Sequence, residues 1–179
     1  MLRLMLLRHA KAVPQKAGAD HDRALAPRGL ADAAALAKAL ADEHQIPDLV
    51  AVSDSRRTRE TLTALQDAWP GGSLDGTRVE TTGDLYHASS STLLAAIRKL
   101  PPAVRTVMMI GHNPGIAELA LSLAGYGDRY ALARMMQKFP TCALAILDFD
   151  METWQEAAIR KGRLDRFVTP ADFGGEDGE

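Results

Sequence analysis

Residues 4–12 read LMLLRHAKA. The apolar run has strand length and composition, and with Leu2 it predicts a buried strand over residues 2–7. The run ends on Arg8 and His9. A permanent cation and a titratable ring have no packing role in a sheet core, so something at the carboxyl end of this strand must call for them.

Outward from this stretch, apolar runs of strand length alternate with amphipathic or Ala-rich segments. LADAAALAKALADEH (30–44) predicts a helix with Leu30, Ala33, Ala37 and Leu40 on one face. DLVAVS (48–53) predicts a strand and SRRTRETLTALQDA (55–68) a helix, followed by a weak strand near Val79 and a helix over STLLAAIRKL (91–100). VRTVMMI (104–110) is the clearest buried strand after the first. PGIAELALSLA (114–124) and DRYALARMMQKF (128–139) predict helices, and TCALAILDF (141–149) and TWQEAAI (153–159) closing strands. This alternation predicts a three-layer α/β/α sandwich around a mostly parallel central sheet. No repeat or linker divides the pattern, so residues 1–170 are expected to form one domain. Residues 171–179, Gly-rich and acidic, are expected to be a disordered tail.

The chain has 179 residues, 46% apolar and 25% charged, which suits one soluble, well-cored unit. A net charge of −2 argues against a general nucleic-acid binder. Yet residues 1–30 carry six Arg or Lys against two Asp, a local excess that suits a small anionic ligand. Cys142 is the only cysteine, which excludes an intramolecular disulfide and a Cys-rich metal site and suggests a reducing compartment. The first apolar run is too short, and too interrupted by Arg3 and Arg8, for a signal peptide. No stretch approaches the length of a membrane span. A cytoplasmic location is the expectation.

In open α/β sheets ligands bind beyond the carboxyl ends of the strands. Three segments place unusual residues there: Arg8-His9 after the first strand, SDSRRTRET (53–61) after the second, and GHNPG (111–115) after VRTVMMI. Arginines in the first turn of a helix oppose its dipole unless something negative is near. Arg56 and Arg59 are read as a solvated face, and Arg57 as the candidate of the three; Asp54 is read as the helix cap. In GHNPG, Asn113 suits an N-cap and Pro114 a first helical position, which leaves His112 without a local explanation. A single His at a strand end is more often structural. Two of them, with Arg beside one, are not so easily explained. A metal site is disfavoured, because arginine is a permanent cation and the His lack ligand spacing. Phosphate fits better: guanidinium groups match its oxygens bidentately, and a neutral imidazole is a competent nucleophile toward phosphorus.

At this point LLRHAKA (6–12) resembles the signature of the histidine phosphatase superfamily, with its phosphoglycerate-mutase-like fold. The similarity is greatest to the SixA-type phosphohistidine phosphatases. DRALAPRG (22–29), SDSRRTRET, GHNPGI (111–116) and FPTCALAIL (139–147) resemble further motifs of that branch in the same order. The resemblance implies that His9 is the phosphorylated nucleophile, that Arg8, Arg57 and Arg23 clamp the phosphoryl group, and that His112 donates a hydrogen bond to it. Arg28 is read as structural. Asp54 and Ser55 depart from the Pro-Ala usual before the clamp arginine. Many members use an acidic residue to protonate the leaving group, and GDLYHAS (83–89) offers Asp84 near the corresponding place, with Tyr86 and His87 beside it. The SixA branch is expected to need such help less, because a P–N bond to imidazole is labile. The implied substrate is phosphohistidine in a protein or peptide, with no cofactor. The alternatives are a broad small-molecule phosphomonoesterase and a non-catalytic phospho-ligand binding module.

Overall fold

The computed structural model describes residues 1–72, 74 and 76–178. Its centre is β1 (Leu2–Arg8), whose alternate side chains feed two separate cores. Leu2, Leu4 and Leu6 point into one cluster and Met5 and Leu7 into the other. This is what period-two alternation does when both faces of a sheet are covered.

The sheet has seven strands in the order β3-β2-β4-β1-β6-β7-β5. These are β2 (Leu49–Ser53), β3 (Arg78–Thr82), β4 (Thr106–Gly111), β5 (Ala124–Gly127), β6 (Leu144–Phe149) and β7 (Gly162–Val168). Strands β3, β2, β4 and β1 run parallel, β6 is antiparallel to both β1 and β7, and β5 is parallel to β7. One face is covered by α1 (Pro27–Asp42) and α2 (Arg56–Ala68), and the other by α3 (Ser90–Arg98), α4 (Gly115–Leu123) and α5 (Arg129–Gln137). The sandwich and its mostly parallel sheet agree with the sequence. Among the described residues, no helix is long and apolar enough to cross a membrane.

Several local expectations change. Helix α1 starts three residues early, at Pro27, where a missing N–H costs nothing. Its buried face is Ala33, Leu36, Ala37 and Leu40, whereas Leu30 is exposed. Residues 153–159 are not a strand: Thr153 and Glu156 form a reciprocal capping box around a 3-10 turn at Trp154–Glu156. Trp154 is buried there and donates its indole N–H to the Val104 carbonyl at 2.7 Å. The closing strand is β7 instead. Where the sequence predicts a disordered tail, Asp177 accepts hydrogen bonds from Thr169 Oγ1 and the Ala171 N–H, and Arg28 donates to the Glu176 carbonyl. Glu179 lies outside the described residues.

Gly115, at the start of α4, meets the backbone of the loop after β3. A Cβ at this position would overlap the Ala88 carbonyl, which is backbone and has no rotamer to escape through. The missing side chain therefore lets residues 86–88 lie against the carboxyl end of the sheet. Gly115→Ala is expected to destabilise the protein by about 1–3 kcal/mol, as overpacked positions do, measured as a drop in the urea midpoint with m unchanged.

Candidate active site

The parallel pairing of β1 with β4 matches Arg8 to Gly111. The residues that follow, His9 and His112, therefore leave the sheet side by side, and the His9 N–H is bonded to the Gly111 carbonyl at 3.0 Å. Their ring centroids are 5.3 Å apart, and the residues are 7% and 3% exposed. His9 Nδ1 lies 2.8 Å from the Ala10 carbonyl, an acceptor only, so Nδ1 carries the proton and Nε2 has a bare lone pair. Arg57 Nε donates to that Nε2 at 3.3 Å.

Arg57 explains the oddity of a basic first turn on α2. Of its three arginines, Arg56 and Arg59 are exposed, Arg56 pairing with Glu60 at 2.7 Å and Arg59 reaching the Asp54 carbonyl. Arg57 is only 1% exposed. Besides His9, its Nη2 donates to His112 Nδ1 at 3.2 Å and to the Asp20 carboxylate at 3.0 Å, and its Nη1 to the Asp20 carbonyl at 2.8 Å. The helix is capped by Ser55, not by Asp54, which instead pairs with His21 at 2.7 Å. The shorter Ser55 hydroxyl reaches the Thr58 N–H, leaving the carboxylate to the neighbouring loop.

Arg8 donates Nη1 to the Phe139 carbonyl, and its Nε is buried without a partner among the described residues. Burial, with the neighbouring Arg57, lowers its pKa. Asn113 donates to the same Phe139 carbonyl at 2.9 Å rather than capping α4, where Pro114 takes the cap position. Arg23 donates Nε to Asp20 at 2.9 Å and Nη1 to the Val13 carbonyl. The charges of Arg57, Arg8 and Arg23 all bear on His9. The fold thus brings together Arg8, His9, Arg23, Arg57 and His112. Asp84 stands apart: it is exposed, and its carboxylate makes no hydrogen bond or ion pair among the described residues.

Three further residues complete the site. Asp20, in a 3-10 turn at Asp20–Asp22, also accepts from the Tyr86 hydroxyl at 2.6 Å and lies 3.1 Å from His87 Nε2. Tyr86 and His87 come from the loop pinned against Gly115; their rings are 4.2 Å apart, and each packs on His112, at 5.3 and 5.0 Å. Sequence reasoning noted Tyr86 and His87 only in passing and missed Asp20. The signal was available: Asp20 is one of two acids among the basic first thirty residues, three positions before Arg23.

These contacts fix the charge states. Burial pushes His9 down to about 3, opposed by its bond to Ala10 and helped by the three arginines. Burial likewise pushes His112 down to about 2, helped by His9 and Arg57. The Tyr86 hydroxyl, then His87 and Arg57, hold Asp20 well below the usual carboxylate range against the cost of its burial. In this arrangement His112 accepts at Nδ1 from Arg57, so Nε2–H donates to Ser53 Oγ at 2.8 Å. Donating through Nδ1 to a phosphoryl oxygen requires the other tautomer. The Ser53 hydroxyl can support that tautomer by turning from acceptor to donor. Chemically, the site offers a neutral, bare imidazole nitrogen among three guanidinium groups.

The buried neutral rings predict a pH dependence of stability. Unfolded His protonates near pH 6.5, while native His9 and His112 do not until about 3 and about 2. Their effect on stability is nil above pH 6.5, and acidification through the window below it favours the unfolded state, by about 1.4 kcal/mol per pH unit for each ring. Urea unfolding at pH 7, 6 and 5 should show this fall, and His9→Asn and His112→Asn should each remove about one proton's worth of slope.

Residues 4–86 match the model of the histidine phosphatase superfamily, branch 1. An uncharacterized protein of Mycobacterium leprae is 32% identical over 169 residues, covering 92% of this chain and 99% of that one. A solved structure of a candidate phosphohistidine phosphatase SixA from Agrobacterium tumefaciens is 33% identical, with a TM-score of 0.78 over 94% of this chain and 98% of that one. A similarly described structure from Nakamurella multipartitia is 27% identical, with a TM-score of 0.77 over 94% and 96% of the two chains. With these likenesses running nearly end to end, and with the two histidines and three arginines assembled as described, the chain belongs to the histidine phosphatase superfamily and is of the SixA type.

Proposed function

We propose that the protein is a cytoplasmic phosphatase that removes the phosphoryl group from phosphohistidine in a protein or peptide, through a phosphorylated His9. The observation that carries this reading is the bare Nε2 of a neutral, buried His9 held within 3.3 Å of Arg57. Nε2 attacks phosphorus in line, forming the P–N bond as the leaving group departs. Arg57, Arg8 and Arg23 gather the equatorial oxygens, with His112 donating to one of them. The Ala10 carbonyl holds the Nδ1 proton, which steadies the ring as it takes up positive charge. Water then attacks phosphorus and returns Nε2 to its bare state.

Two observations favour a P–N substrate carried on a protein. Asp84, the acid that an alkoxide leaving group would ask for, makes no side-chain hydrogen bond or ion pair with the cage among the described residues. Beside Arg23, a cleft of 460 Å³ opens between Val13, Pro14, Lys16, Gly18 and Arg56, giving a peptide flank a place to lie. The Agrobacterium tumefaciens relative, described as a candidate phosphohistidine phosphatase, is 33% identical and supports the same substrate class.

Phosphate release from a phosphohistidine peptide and from p-nitrophenyl phosphate tests the reading. The wild type should prefer the peptide. His9→Ala should lose at least about 10³-fold on both, as loss of a nucleophile does, and Arg57→Ala about 10²–10³-fold in kcat. A preference for the ester would instead make the protein a small-molecule phosphomonoesterase. No turnover with phosphate still bound would make it a binding module.

A further inference from the structure

Both chemical steps move a proton. A departing ester oxygen must receive one, a departing imidazole needs it less, and the attacking water must lose one. The groups around the cage can be taken in turn. His9 is the nucleophile, and burial keeps both it and His112 unprotonated at neutral pH. Asp20 is held ionised by its donors. Burial and Asp20 raise the Tyr86 hydroxyl, whose proton is already committed to that carboxylate at 2.6 Å. The arginines offer donors only. Asp84 is exposed, and its carboxylate is bonded to none of these groups among the described residues.

His87 remains. We propose that His87 is a catalytic residue, the proton carrier of the reaction, with Asp20 as the residue that positions its ring. Nε2 lies 3.1 Å from the Asp20 carboxylate, and Nδ1 has no hydrogen-bond partner among the described residues. A carboxylate on one ring nitrogen and an open second nitrogen is the arrangement by which an imidazole takes and gives protons in a fixed direction. The ring is held where that serves the chemistry. Its backbone adopts a left-handed φ of 49°, uncommon for a residue with a side chain but tolerated by His. The following residue is pinned against Gly115. His9 is 7% exposed, so an in-line displacement from it sends the leaving group toward solvent. The His87 side chain is itself 51% exposed.

The inference rests on the phosphatase reading, and its steps balance. In the first, the His9 Nε2 lone pair forms the bond to phosphorus, and the bond to the leaving atom breaks with its electrons going to that atom. The leaving atom takes the proton from Nδ1 of the His87 imidazolium. In the second, water oxygen attacks phosphorus, its proton passes to His87 Nδ1, and the P–Nε2 electrons return to His9. Phosphate leaves and the imidazolium is restored.

The test is kcat/KM across aryl phosphates running from p-nitrophenyl phosphate to phenyl phosphate, for wild type, His87→Ala and His87→Asn. The nitrophenolate leaves without help, while phenolate needs a proton. Both variants should lose about 10²-fold or more on phenyl phosphate and only a few-fold on p-nitrophenyl phosphate, steepening the leaving-group slope. Added imidazole should restore part of the phenyl phosphate rate in His87→Ala. A uniform loss across the series, with the wild-type slope retained, would reduce His87 to a structural role and overturn the proposal. If the wild type turns over neither an aryl phosphate nor the phosphohistidine peptide, the phosphatase reading itself fails; turnover of the peptide alone, undiminished in His87→Ala and His87→Asn, overturns the proposal and leaves that reading standing.

Discussion

The arrangement depends on one buried guanidinium. Arg57 is almost fully excluded from water, and an unpaired charge there would cost several kcal/mol. Asp20 offsets that cost with its carboxylate and its backbone carbonyl. Two more of its donors go to the two imidazoles. That single fan of hydrogen bonds sets the spacing of His9 and His112, selects the tautomer that leaves His9 Nε2 bare, and, with burial, keeps both rings neutral. Asp20 is the guanidinium's one ion-pair partner among the described residues, and without the guanidinium the rings have no common reference.

The fold supplies what Arg57 cannot. Parallel pairing of β1 with β4 delivers the two histidines at the same height, and the Phe139 carbonyl anchors Arg8 and Asn113 from the segment before β6. The Cys142 N–H, bonded to the His9 carbonyl at 3.0 Å, ties that segment to the nucleophile as well. Gly115 contributes an absence: by having no side chain it admits the loop that carries Tyr86 and His87. Sheet, helix start and loop each contribute to one anion-binding site, although the three lie far apart in sequence.

How much of this was legible in the sequence follows from the range of each interaction. His9, His112 and Arg57 stood out because each violates a local rule: polar residues closing an apolar strand, and a cation at the positive end of a helix dipole. Asp20 violates nothing locally, since an acid in a polar loop is ordinary; only contact with Arg57, Tyr86 and His87 gives it meaning. The same limit separates Asp84 from His87. Both belong to GDLYHAS, and spacing alone does not say which faces the cage. The 3-10 turn at Gly83–Leu85 leaves Asp84 outside, and the left-handed residue at 87 brings the imidazole in. At Thr153–Ile159 a segment of strand length was read as a closing strand, and a capping box, itself readable as Thr153 and Glu156, decided otherwise. The sandwich, by contrast, was readable throughout, because periodicity and composition are summed over many residues.

The central claim is that the phosphoryl group passes through Nε2 of His9. Rapid mixing with a phosphohistidine peptide, quenching in alkali, and mapping of the modified residue by mass spectrometry tests it most directly. The account predicts a transient phosphoramidate on His9, stable in alkali, lost in acid and absent from His9→Ala. Turnover with no such intermediate, or with the phosphoryl group on any other residue, would contradict it.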